Sequence, residues 1–447
     1  MIGKILLFFL GLLFLIWPIP HTVTIRELSL IAGLLFSIGY IYKHKMALTP
    51  FRNLRLPILF YFLFISWIVF VAIFISTDTH WAFKELKSQW LWGSLAMMFG
   101  SFVGIIIKKN PKLLSSAMMV FFLALLIHVA VINVDGLSYI MLDGFDKLTY
   151  TTRLTSGLTI GPIDASVLCD FLLVLVLSEW LYRREHNNKI IPISNNDLIF
   201  AFVLTFTGSI LCGLRNMVEL TMIILFIPML AFQKNRKIIF GISLAFFIAL
   251  TIFMYKTDPR WSEIGKSIDL AFNTEYDWNI EPKDATIEPI KGQIVNTSNY
   301  LRFEKYQTSI YTIAEKPFGV GYGRNAFGHG IKDKYDKATG LNSDSSFLDL
   351  FIGTGVIGGI LWLCFYGSLF YFAFTSFKNG KTFASGFLLL LLVTFGTRAI
   401  IDTIFRDHLM QQFLFMVGLS FIFLKKEVET VLLRSKNKLI KNKKGVV

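Results

Sequence analysis

Apolar runs long enough to cross a bilayer recur from one end of this sequence to the other, and the loops between them alternate in charge. A helix of about twenty apolar residues spans ~30 Å of hydrocarbon. The segments 3–18, 25–43, 56–75, 89–107, 113–134, 159–182, 197–213, 216–233, 237–255, 347–376, 382–401 and 408–424 approach or reach that length. The expected fold class is therefore an all-α polytopic membrane protein of about twelve transmembrane helices. Composition agrees. With 54% hydrophobic residues, 17% charged residues and a mean hydropathy of +0.59 over 447 residues, the chain has too little polar surface to be dissolved by water alone.

A net charge of +14 would suit a nucleic-acid binder, but its placement argues against one. The basic residues gather at Lys43 to Arg55, Lys108-Lys109, Arg183-Arg184 with Lys189, Lys234 to Lys237, Lys378 to Lys381 and the tail from Lys425. All of these fall on the same side of the predicted helices, which is the cytoplasmic side by the positive-inside rule. An even helix count puts both termini there as well. The first run, Gly3 to Pro18, has the length of a signal peptide but no small-residue cleavage site, so a retained first helix is expected. The three cysteines, Cys169, Cys212 and Cys364, lie in or at the edge of apolar runs and read as small hydrophobes. No metal-ligand spacing, Walker loop or dinucleotide fingerprint is present, so no metal and no cofactor is expected.

The outer loops are short except one. Residues 257–346 form a loop of roughly ninety residues between the ninth and tenth helices, too large for a connector. The expected organisation is thus 1–256 with nine helices, 257–346 as the outer loop, 347–424 with three more helices, and 425–447 as a basic cytoplasmic tail. Within the loop, Asn299 to Glu315 is amphipathic at helical spacing, Pro317 ends it, and Gly319 to Gly323 follows as a glycine-rich turn.

Ionisable residues near membrane depth ask for a reason. Arg215 sits at the outer junction of two helices, where it either snorkels or faces an anion. Arg302 lies early in the loop helix, on a solvated face or aimed at a ligand. Arg398, Asp402, Arg406, Asp407 and His408 cluster at the outer ends of the last two helices. Arg398–Asp402 and Asp402–Arg406 have i,i+4 spacing, which favours a structural ion-pair network. Asp164 is placed to face a site, Asp170 lies deeper in a packing role, and Lys84, Glu85 and Lys87 are expected along the interface. His128, alone in an apolar helix, reads as a packed residue.

Three segments carry a family resemblance. They are Ser209-Ile210-Leu211-Cys212-Gly213-Leu214-Arg215-Asn216; Tyr300-Leu301-Arg302-Phe303 running into Pro317-Phe318-Gly319-Val320-Gly321-Tyr322-Gly323; and Asp344-Ser345-Ser346-Phe347-Leu348-Asp349-Leu350 followed by Gly353-Thr354-Gly355-Val356-Ile357-Gly358. In order and spacing the chain resembles the O-antigen ligase and O-antigen polymerase superfamily of bacterial inner-membrane glycosyltransferases. The resemblance implies a GT-C-like fold and an active face turned to the periplasm. It implies a glycan donor on undecaprenyl diphosphate, and as acceptor either lipid A–core (ligase) or another lipid-linked repeat unit (polymerase).

In that light Arg215 and Arg302 are expected to bind the diphosphate and stabilise its leaving charge without a metal. Arg398, Asp402, Arg406 and Asp164 would support them. An acceptor hydroxyl needs a base. Where the family's ligases commonly have His-Asn, this chain has Asp344-Ser345, so Asp344 is the first choice and His329 the second. Ligase is favoured over polymerase, with another periplasmic glycan transferase behind them. A transporter or flippase is the rival of a different class, disfavoured because charge gathers at the outer interface and not at the midplane.

Overall fold

The computed structural model describes residues 2–46, 55–143, 157–212, 236–257, 263–274, 276–279 and 297–421. The expected helix at 216–233, Arg215 and the tail at 425–447 lie outside the described residues. The elements are α1 (Ile2–Ile16), α2 (Val23–Lys43), α3 (Arg55–Phe74), α4 (Thr79–Glu85), a π-helical turn (Leu86–Leu91), α5 (Trp92–Lys109), α6 (Pro111–Asp143), α7 (Pro162–His186), α8 (Asn195–Cys212), α9 (Arg236–Thr257), α10 (Ile264–Asn273), α11 (Thr297–Glu315), α12 (Ala326–Ile331), a 3₁₀ turn (Asp336–Gly340), α13 (Ser346–Gly380), α14 (Phe383–Ile401) and α15 (Asp407–Phe421). The described residues are all-helical, and eight helical stretches are long and apolar enough to cross a membrane. The chain is a polytopic membrane protein.

Helix α7 forms the centre: 94% of its most apolar stretch is buried, against 33% for α3 and 39% for α8. It starts with Pro162 in its first turn and stops at Asn187 in the left-handed conformation, two local signals that fix its length. Around it pack α6, α8 and α14, while α5 and α15 form a second tightly packed pair. That pair crosses closely because glycine lets the backbones meet: a Cβ on Gly100 would lie 2.1 Å from the Phe415 carbonyl oxygen. On the outer helices Leu28, Leu35, Phe62, Phe74, Ile199 and Phe200 are exposed, a rim that needs hydrocarbon around it.

The fourth apolar run is longer than its hydropathy suggests. The helical stretch begins at Thr79, ten residues early, capped by the Asp78 carboxylate accepting from the Trp81 N–H at 2.9 Å. Lys84, Glu85 and Lys87 therefore belong to that stretch and do not lie before it; Glu85 is buried. Its amphipathic first turns pack under the glycine-rich segment, where a Cβ on Gly323 would strike Trp81 and Glu85.

Helix α13 is broken at Gly355, with φ 69° and ψ −178°. The break is filled by the Pro-Phe-Gly-Val-Gly segment. Val320 and Gly321 donate their N–H groups to the Ile352 and Gly353 carbonyls at 3.1 and 3.0 Å, and Val356 donates to the Pro317 carbonyl at 2.8 Å. Trp67 of α3 caps the freed Thr354 carbonyl through Nε1 at 2.7 Å. The motif thus plugs a helix interruption and sets the loop domain on the bundle. Gly355→Ala should destabilise by about 1–3 kcal/mol from backbone strain alone. Its Cβ would also lie 2.4 Å from the Pro317 carbonyl oxygen. Thermal unfolding in detergent checks this, and an unchanged midpoint would mean the segment undocks at no cost.

Candidate functional site

The loop domain sits at the end of the bundle where α13 begins and α14 ends. Here α11 packs on α13 and reaches the end of α14 through Tyr306, and Pro317 ends it as expected. One stripe of α11 presents Arg302 and Lys305. Arg302 Nη2 is 3.8 Å from Asp402 Oδ1, and Lys305 Nζ is 2.8 Å from Asp344 Oδ2. Tyr306 donates to the Ile400 carbonyl at 3.4 Å.

Serines hold the two receiving segments together. The Ser346 N–H donates to the Asp402 carbonyl at 3.1 Å, while Ser346 Oγ accepts from the Ile404 and Phe405 N–H groups at 2.6 and 2.9 Å. Ser345 caps α13. Asp344, just before the cap, has φ 57°, a left-handed conformation that Asp tolerates, and its N–H donates to Asn342 Oδ1 at 3.1 Å. Asp349, buried one turn into α13, anchors this loop by accepting from the Ser343 and Phe327 N–H groups, both at 3.2 Å.

Arg398 is almost fully enclosed. Its Nε lies 3.2 Å from Asp402 Oδ2, its Nη1 3.7 Å from Asp170 Oδ2, and its Nη2 donates to Ser166 Oγ. This supplies Asp170 with its partner. Asp402 stands between Arg398 and Arg302. The expected i,i+4 pair Asp402–Arg406 does not form as a helical pair, because α14 ends at Ile401 and Asp402 is extended. Arg406 instead donates to Thr403 Oγ1 at 3.2 Å. Asp164 is buried with Oδ1 3.9 Å from His408 Nε2. His128 packs as expected, its Nε2 2.9 Å from the Leu15 carbonyl oxygen.

His329 lies elsewhere in the loop domain, on α12, its ring stacked on Trp81 at 3.7 Å between centroids. Burial lowers its pKa, against a smaller opposing pull from Asp78, so the ring is neutral near pH 7. The structure thus brings Arg302, Asp344, Asp402 and Arg398 to one junction, with His329 packed on Trp81.

A neighbouring network joins Glu85 and Asp407, read apart in the sequence, through Arg324, which was not singled out there. Glu85 accepts from Gln89 Nε2 and from the Arg324 N–H at 3.2 Å, and Arg324 Nη2 lies 3.2 Å from Asp407 Oδ2. Arg26 is buried close by and donates to the Trp17 carbonyl at 3.0 Å. The usable signals were the Glu85–Gln89 i,i+4 spacing and a cation directly after the glycine-rich turn. Lys305, within the amphipathic stretch Asn299 to Glu315, carries no sequence signal that sets it apart. Among the described residues no group of three or more His, Cys, Asp or Glu could hold a metal ion.

Residues 198–363 match the family model described as O-antigen ligase. The match runs from α8 to the first half of α13. It contains Arg302, Lys305, Arg324, His329 and Asp344, while Arg398 and Asp402 lie beyond it. No curated protein matches the chain.

Proposed function

We propose that this chain, whose residues 198–363 match the O-antigen ligase family model, is a glycosyltransferase. It moves a glycan from undecaprenyl diphosphate to a sugar hydroxyl of lipid A–core at the periplasmic face of the inner membrane. The observation that carries this reading is Arg302. Its side chain is only 18% exposed, and among the described residues the guanidinium makes one long ion pair and no hydrogen bond, with Nε enclosed. A cation with unspent donors at a membrane-facing junction suits a multidentate anion such as a diphosphate.

In the proposed reaction the acceptor hydroxyl oxygen attacks the anomeric carbon and the bond to the diphosphate oxygen breaks. The acceptor's proton passes to Asp344, and the electron pair leaves on the diphosphate. Arg302, with Arg215 as its proposed partner, stabilises that charge. Lys305 engages Oδ2 of Asp344, and among the described residues Oδ1 takes no hydrogen bond, which leaves it open to a proton.

Reconstitution tests the reading. Purified protein in liposomes with an undecaprenyl-diphosphate glycan and lipid A–core should release undecaprenyl diphosphate and join glycan to core. No release with either acceptor would overturn the transferase, and a lengthened lipid-linked chain would assign the polymerase reaction. Arg302→Ala should lower the rate by about 10²–10³-fold, as for removal of a preorganised charge donor. It should leave the unfolding midpoint nearly unchanged, because Asp402 keeps Arg398.

A further inference from the structure

The opposite stripe of α11 lines a cavity of about 420 Å³, within the ~300–1,000 Å³ typical of small-molecule sites. Glu304, Gln307, Tyr311 and Glu315 line it from α11, and Trp278 and Tyr335 line it from other segments. Positions 304, 307, 311 and 315 follow a helical stripe, as 302 and 305 do on the other side. One helix therefore separates this cavity from the charged junction.

The lining is preorganised. Trp278 is buried and held edge-on to Phe327 at 5.2 Å, and Tyr335 is buried. Glu304 is fixed by the Tyr300 hydroxyl at 3.0 Å and Thr274 Oγ1 at 3.3 Å. Burial, with the Glu304 charge beside it, holds the Tyr300 phenol up at about 12, so it stays a donor.

The lining offers enclosed and rim acceptors beside the hydroxyls of Thr308, Tyr311 and Thr312. Gln307 Oε1 is enclosed and receives no hydrogen bond from the described residues. Glu315 is exposed at the rim. Three carboxylates line the cavity, Glu304, Glu315 and Asp333, against two lysines, Lys316 and Lys334, and Lys316 is already committed to the Gly330 carbonyl at 2.7 Å and Asp333 Oδ2 at 2.6 Å. An occupant with hydroxyl donors and apolar C–H faces fits the rings and acceptors, whereas a negative charge would face an excess of carboxylates. Sugars have that combination: hydroxyls around the edge and C–H groups on the faces.

We propose that this cavity is a carbohydrate subsite for a neutral or amino-substituted sugar unit, separate from the diphosphate junction. The choice of sugar over other donor-rich ligands rests on the transferase reading above. It would hold part of the glycan while the reacting end lies on the other side of α11.

The test uses the full chain in nanodiscs, titrated with free N,N′-diacetylchitobiose, lactose, glucosamine and glucuronic acid and followed by tryptophan fluorescence and saturation-transfer NMR. At least one of the first three should bind saturably, with glucuronic acid weaker. Tyr311→Ala removes an exposed ring and should weaken binding about fivefold or more, while Arg302→Ala should leave it unchanged. No binding by any of the four sugars, equal binding of glucuronic acid, or indifference to both Tyr311→Ala and Glu315→Gln would overturn the subsite. Binding of free sugar does not depend on turnover. Sugar binding without transfer would retire the transferase and keep the cavity, and transfer without sugar binding would do the reverse.

Discussion

Asp344→Asn should reduce turnover by about 10²–10⁴-fold, the range for loss of a positioned base, with little change in stability. Asparagine is the right probe because residue 344 has φ 57°. Asn accepts the left-handed region more readily than other non-glycine side chains, whereas alanine would add backbone strain to the loss of charge. The amide also keeps an oxygen for Lys305. The lost ion pair is partly exposed and contributes ~0–1 kcal/mol. The measurement is release of undecaprenyl diphosphate from reconstituted protein, alongside the unfolding midpoint. Full activity would move the proton to His329 or leave the reaction without a side-chain base. His329→Gln in the Asp344→Asn background separates those two outcomes, since the His329 ring is neutral and able to accept a proton.

The membrane-spanning architecture was legible because hydropathy acts locally: each run must satisfy its own backbone inside hydrocarbon. The loop helix and its proline stop were legible for the same reason. What stayed hidden was long-range or depended on where helices end. Ser166, 232 residues from Arg398, can be matched to it only once α7 and α14 are packed. The Asp402–Arg406 spacing assumed a helix that stops one residue earlier. Glu85 looked like an interfacial charge because the amphipathic turns before an apolar run carry no hydropathy signal. The glycine-rich segment was visible as a turn, but its docking into the break at Gly355 required both pieces in place. The α11 cavity draws its lining from separate loop segments, and no periodicity relates them.

Arg398→Met should be the most damaging single change to folding. The guanidinium is 2% exposed and stands between Asp170, 3% exposed, and Asp402, 12% exposed. Removing it takes the Arg398 charge away from Asp170 and leaves Asp402 the longer contact to Arg302, in a site that water barely reaches, and breaking such a buried pair costs about 3–5 kcal/mol. The expected readout is a clear fall in the unfolding midpoint in detergent and a low yield of folded protein. Asp170→Asn alone should cost less, because Arg398 keeps Asp402 and Ser166. Combined with Arg398→Met it should recover part of the lost stability, because the buried Asp170 charge that Arg398 faced is gone. That recovery is what distinguishes a structural pair from a substrate contact. If Arg398→Met instead folds like the native chain and only turnover falls, Arg398 holds the anion, and Asp402 becomes a linker between two substrate-binding arginines.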